Sequence, residues 1–204
     1  MRTWEEDYKT GELPWDTGVP DHHLVSLVNN GRIRAGATLE IGCGTGTNAI
    51  WLSNGGFRVL GIDIAPTAIE MARSKADGRS NLDFRCMDFL AEDLGSKFDF
   101  IFDRGTFHIF DSADERNSFV NRVAESLVPG GLWLSLIGST EGPPRGHGPP
   151  RRNARDIVGA LEDHLEIVEL RTSEFEPDIP SSARAWICLA RKRMEPAQIS
   201  TRLH

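Results

Sequence analysis

The stretch Thr38-Leu39-Glu40-Ile41-Gly42-Cys43-Gly44-Thr45-Gly46-Thr47-Asn48 constrains this chain more than any other part of it. An apolar run that ends in an acid, breaks into alternating glycines and then turns helical is a strand, a tight loop and a helix N-terminus in succession. Glycine at alternate positions lets the loop take up positive φ and lets backbone amides approach a ligand with no Cβ in the way. Val59-Leu60-Gly61-Ile62-Asp63 follows as the next buried strand, with Asp63 at its end. A carboxylate there accepts both hydroxyls of a ribose, so the two segments read as the βαβ start of a site for a nucleoside-bearing cofactor.

The glycine spacing separates two cofactor classes. A dinucleotide fingerprint, G-x-G-x-x-G, needs a third glycine where this chain has Thr47. Here the glycines are Gly42, Gly44 and Gly46, with Glu40 before them. Glu40-x-Gly42-x-Gly44-x-Gly46 resembles the first motif of class I S-adenosylmethionine-dependent methyltransferases, where the loop takes the amino-acid end of the cofactor.

Strand and helix alternate along the rest of the chain. Asp21 is placed to cap a helix reaching about Asn30, with Leu24, Leu27 and Val28 on one face and Gly31 as its stop. Strands are expected over 38–42, 57–62, 82–86, 98–102 and 132–137, and helices over 47–54 and from Pro66 through Arg73. A further helix over 112–127 should close at Pro129-Gly130-Gly131, and a last one should span 154–164. Strands over 165–171 and 184–190 are joined by a connection too short and too proline-broken to hold a crossover helix, so they should pair antiparallel. The pattern predicts an α/β, Rossmann-like, doubly wound seven-stranded sheet, mostly parallel with a C-terminal antiparallel strand and helices on both faces. One domain is expected over 1–193, followed by a mobile tail over 194–204, and the Gly/Pro-rich stretch 138–150 reads as a flexible loop.

The chain has 204 residues, enough for a hydrophobic core, and a formal charge of −7 that argues against a nucleic-acid binder. Its basic clusters, Arg145, Arg151, Arg152 and Arg155 and then Arg191-Lys192-Arg193, read as solvated surface. Three scattered cysteines, no long apolar stretch and an acidic N-terminus suggest a reducing, cytoplasmic setting without a membrane partner, as a monomer or weak homodimer. His22, His23 and His147 lack a third convergent ligand, so no metal is expected.

In an open parallel sheet the ligand lies beyond the carboxyl ends of the strands. Asp63 and Ile64 are placed for the ribose and the adenine face, and Asp88 and Phe89 for the adenine pocket. Asp103 and Arg104 end the fourth strand, where an acid and a guanidinium hold a zwitterion or fix an anionic substrate. His108 is the candidate base, with packing beneath the following helix as the competing role.

Trp4-Glu5-Glu6-Asp7-Tyr8-Lys9-Thr10-Gly11, Pro14-Trp15-Asp16 and Phe102-Asp103-Arg104-Gly105, taken with the glycine loop, resemble the thiopurine methyltransferase-like branch, which includes thiol, halide and tellurite methyltransferases. The resemblance covers most of residues 1–190. It implies S-adenosylmethionine as cofactor and S-adenosylhomocysteine as product. It also implies that residues 1–20 cover the cofactor, with Trp4, Tyr8 and Trp15 in that cover, and that Arg104 faces the active site. The loop after the fifth strand, from Glu141 to Pro150, departs from the acceptor-shaping loops of that branch and matches no known acceptor type.

A sulfonium methyl is already activated, so transfer to a soft nucleophile needs positioning and dryness more than a base, and Arg104 would favour a thiolate. An oxygen- or nitrogen-directed small-molecule methyltransferase is the neighbouring reading, and a non-catalytic cofactor sensor the reading from another class. Strand four carries no Asn/Asp-Pro-Pro-Tyr-type motif, which counts against nitrogen in nucleic acid or amides.

Overall fold

The structure, a computed structural model, describes residues 3–142, 150–175 and 183–194. The chain runs through α1 (Trp4–Thr10), α2 (His22–Asn29), β1 (Ala37–Ile41), α3 (Thr47–Asn54), β2 (Arg58–Asp63), α4 (Pro66–Lys75) and β3 (Leu82–Cys86). It continues through β4 (Phe98–Arg104), a 3₁₀ turn (Phe107–Ile109), α5 (Ala113–Ser126), β5 (Leu127–Gly138), α6 (Ala154–Leu161), β6 (Leu165–Glu174) and β7 (Arg184–Lys192). Seven strands form one sheet in the order β3-β2-β1-β4-β5-β7-β6. β1 to β5 pair parallel, and β7 pairs antiparallel with both β5 and β6.

The central strands are apolar on both sides because helices cover both faces. Along β4, Phe100 and Phe102 pack with Leu24 and Leu27 of α2 and Ala49 and Leu52 of α3. Ile101, between them, faces Phe119, Val120 and Val123 of α5. Each fully buried phenylalanine of this kind contributes roughly 1.5–3 kcal/mol of apolar burial. The strand order reverses at β1, since the chain builds outward to β2 and β3 and then crosses back to β4. Loops leaving β1 and β4 therefore diverge and open a crevice at the carboxyl end of the sheet.

The structure adds one element to the sequence reading and corrects three local expectations. The N-terminal segment is helical: Thr3 and Glu6 form a reciprocal capping box and Gly11 closes α1 in the left-handed region at φ 75°. The Thr-x-x-Glu spacing was the signal for it. Pro129-Gly130-Gly131 does not separate α5 from β5; the helix stops at Ser126 and the strand begins at Leu127. Opposite β4 the register slips between Phe98 and Phe100, pairing Phe98 with Leu127 but Phe100 with Leu132, so the extra residues are absorbed as a bulge with Gly130 at φ 77°. Gly138 is the last residue of β5, and Ser139 bridges Arg152. Arg152 is not solvated surface, for its side chain is 11% exposed and pairs with Asp111. Residues 143–149, in the loop expected to be flexible, and 195–204, in the expected tail, lie outside the described residues.

Candidate active site

The glycine loop crosses the crevice directly after β1. Gly44 has φ 53°, and a Cβ there would lie 2.9 Å from the Tyr8 hydroxyl. Gly46 caps α3 at φ 83°, and a Cβ there would lie 2.6 Å from Phe84 Cζ. Side chains at either position would both strain the backbone and collide. The Gly44 amide donates to Asp63 Oδ2 at 2.9 Å, while Asp63 Oδ1 accepts from the Ala65 amide at 3.0 Å. Asp63 is thus locked to the loop, and each oxygen keeps a lone pair for a further donor. Burial pushes the Asp63 carboxyl up, against the pull of those backbone amides.

Glu40 is 2% exposed. Its Oε1 accepts from Asn48 Nδ2 at 3.0 Å, and its Oε2 is buried with no partner. Burial pushes this carboxyl up to about 8, tempered by Asn48 and the Ala49 amide. An orphaned carboxyl oxygen beneath a glycine loop is a vacant acceptor for a cationic group.

The N-terminal segment closes one side. Trp4 and Trp15 meet edge-on at 5.5 Å, and Tyr8 and Trp15 at 6.2 Å. Glu5 accepts from the Thr67 amide at 3.1 Å and from its hydroxyl at 2.7 Å, fastening α1 to the start of α4. The Thr45 hydroxyl donates to Asp16 Oδ2 at 2.7 Å and accepts from Lys75 Nζ, fastening the segment to the glycine loop as well. The resulting cleft is lined by Tyr8, Trp15, Asp16, Thr17 and Val19, by Glu40, Gly42, Cys43, Gly44, Thr45, Thr47 and Asn48, and by Arg104.

Arg104 forms the far wall. Its Nε donates to Asp21 Oδ2 at 3.2 Å, its Nη1 donates to the Trp15 carbonyl at 3.1 Å, and the Phe175 ring lies 5.2 Å from its guanidinium carbon. Its Nη2 makes no hydrogen bond among the described residues. Strand alternation sends Arg104 to the same side as Phe100 and Phe102, beneath α2 and α3.

The same alternation overturns the reading of Asp103. It is fully buried on the opposite side, where Oδ1 accepts from the Thr106 and Phe107 amides and Oδ2 from Trp133 Nε1. Burial pushes it up to about 6. It shapes the turn after β4 and does not reach the cleft. His108 is also misread as a base. It is 5% exposed, and its Nδ1 accepts from the Gly138 amide at 2.8 Å, which leaves the proton on Nε2 and no free lone pair. Burial, reinforced by Arg152 and Arg104, pushes it down to about 3.

At the strand ends expected to form the adenine pocket, the named residues differ in what they already contact. Phe89 is not free to press on a ring face; it is 6% exposed and packs edge-on against Phe119. Asp88 Oδ1 caps the turn by accepting from the Leu90 amide at 2.9 Å. Ile64, 57% exposed just beyond Asp63, remains open for contact. Asn48, Asp16 and Thr45 were not singled out from the sequence. Nothing in their residue types marked them; only their place beside the glycine loop did.

Residues 38–131 match the methyltransferase domain family. The chain is 33% identical over 150 residues to "Probable thiol methyltransferase 2" of Arabidopsis thaliana, covering 72% of this chain and 65% of that protein. It is 28% identical to thiocyanate methyltransferase 1 of Brassica oleracea over 85% of this chain and 75% of that one. A solved structure, from work on the conversion of a disulfide bond into a thioacetal group during echinomycin biosynthesis, superposes with a TM-score of 0.78 at 26% identity, covering 92% of this chain and 87% of the other. Less than two thirds of the Arabidopsis protein's length is therefore represented here. With this fold and this loop, the chain belongs to the class I S-adenosylmethionine-dependent methyltransferases, in their thiol methyltransferase-like branch.

Proposed function

We propose that the protein methylates a small soft nucleophile, most simply a thiolate, with S-adenosylmethionine as donor. The observation that carries this reading is the pairing, across one cleft, of an orphaned carboxyl oxygen on Glu40 with an unengaged Nη2 on Arg104. When bound, the cofactor supplies a methyl carbon made electrophilic by its sulfonium. Glu40 would hold the cofactor's ammonium group, Asp63 its ribose hydroxyls and Ile64 its ring. Arg104 would hold the acceptor as its anion by favouring the thiolate over the thiol. Tyr8 and Trp15 narrow the mouth and exclude water, and residues 1–20 act as the cover of a single catalytic domain.

With His108 committed to the Gly138 amide, the imidazole expected as a base is not available to the cleft, which favours an acceptor that arrives ionised. The two plant relatives, one a probable thiol methyltransferase and the other a thiocyanate methyltransferase, point the same way. The test is incubation with S-adenosylmethionine and a panel of thiols, thiocyanate, iodide, phenols and amines, followed by S-adenosylhomocysteine. Turnover with thiols or soft anions supports the reading. Turnover confined to phenols or amines, or cofactor binding without turnover, contradicts it.

A further inference from the structure

The two ends of the cleft are joined by an unbroken set of hydrogen bonds. Asn48, in the first turn of α3, donates through Nδ2 to Glu40 Oε1 at 3.0 Å and accepts through Oδ1 from the Asp21 amide at 2.9 Å. Both faces of its amide are used, so its orientation is fixed by its partners. Asp21 then splits its carboxylate. Oδ1 caps α2 by accepting from the His23 and Leu24 amides at 2.9 and 3.2 Å, and Oδ2 takes the Arg104 guanidinium at 3.2 Å. Asp21 is 7% exposed, so neither bond competes freely with water.

We propose that Asn48 is a positioning residue that couples the cofactor carboxylate to the acceptor guanidinium, through the Asp21 backbone and the cap of α2. The proposal rests on the assignment of Glu40 to the cofactor and Arg104 to the acceptor. A cation arriving at Glu40 Oε2 sharpens the charge on that carboxyl and strengthens its bond from Asn48, which holds the Asp21 amide and so the seat of Arg104. Cofactor binding thereby sets the guanidinium before the acceptor arrives. Asn48 itself need touch neither molecule. The other groups acting on Glu40 are the Ala49 amide, Asp63 from β2 and the Cys43 thiol, which burial holds well above the ordinary thiol range and so neutral.

The experiment is a double-mutant cycle read by calorimetry, with S-adenosylhomocysteine as the probe and the full chain as the protein. Arg104→Met should weaken binding about tenfold in the native background and less than about twofold in an Asn48→Ala background, since the link is already cut. The pH profile of affinity should also move to higher pH in Asn48→Ala, because Glu40 loses its amide donor. Asn48→Asp retains an acceptor for the Asp21 amide but loses the donor to Glu40, so it should shift the profile in the same direction even if Asn48→Ala fails to fold. Effects of Arg104→Met that multiply independently of Asn48, with an unmoved pH profile in the Asn48 variants, would overturn the coupling. Absence of binding to the native protein would instead overturn the reading of the cleft.

Discussion

Replacing Glu40 with glutamine should remove the loss of stability that this residue imposes as pH rises. A glutamate ordinarily ionises near 4.5, whereas burial holds Glu40 near about 8 in the folded chain. Between those values the folded state binds a proton that the unfolded state has released, so Glu40 removes stability as pH rises through the window. At about 1.4 kcal/mol per pH unit, the loss between pH 5 and pH 8 approaches about 4 kcal/mol, an upper limit for a group whose surroundings can relax. Glutamine keeps the acceptor for Asn48 and has no charge to bury. It does leave an amide donor in the place of the orphaned Oε2, a pH-independent cost of about 1–3 kcal/mol. Urea unfolding of both proteins at unit pH steps from 5 to 9 isolates the difference, because Asp103 and His108, on which Glu40 does not act, titrate alike in each. The variant should be the less stable at pH 5 and should gain steadily on the native protein up to pH 8. Parallel stability curves would refute the burial argument for Glu40.

Asp63→Ala should weaken S-adenosylhomocysteine binding by about 1.5–3 kcal/mol, roughly 10–150-fold by calorimetry, since two accepted hydroxyl bonds and the brace on Gly44 are lost together; unchanged affinity would reject the ribose role. Arg104→Met should lower turnover of a thiol by about 100-fold or more near neutral pH while the circular dichroism spectrum is retained; native kinetics would remove Arg104 from the site. His108, whose folded value lies near about 3 against an ordinary 6.5, is protonated first in the unfolded chain, so the native protein should lose stability as pH falls below about 6.5 more steeply than His108→Asn, and kcat should show no inflection from it near neutrality. A kcat profile with an inflection near pH 6.5 that disappears in His108→Asn would restore it as a base. Phe102→Ala, at a fully buried position beneath α2 and α3, should cost about 3–5 kcal/mol in urea unfolding, and a loss below about 1 kcal/mol would contradict the packing described.

The parallel sheet was legible because its strands are buried on both faces and so read as dense apolar runs such as Val59–Ile62 and Phe98–Phe102, punctuated by glycines and capping acids. The antiparallel pairing of β6 and β7 was legible for a negative reason, the lack of room for a crossover helix. The bulge that carries Pro129-Gly130-Gly131 inside β5 was not, because the same residues end a helix equally well and only pairing with β4 decides between the two. In the site, residue type identified the strand ends but not their directions. Asp103 and Arg104 are adjacent, yet one points beneath α5 and the other beneath α3, and counting from Phe100 and Phe102 would have told them apart. His108 was legible as a titratable group near the crevice. Its commitment to the Gly138 amide depends on a contact 30 residues away, which spacing does not reveal.

The most direct test is competition in one vessel: methyl-labelled S-adenosylmethionine with equal concentrations of hydrosulfide, a phenol and an amine at pH 7, with the label traced to its product. Label on sulfur, lost in Arg104→Met, is the result expected from a cleft that binds the cofactor at Glu40 and Asp63 and an anion at Arg104. Label on oxygen or nitrogen, or label that stays on the cofactor, would contradict it.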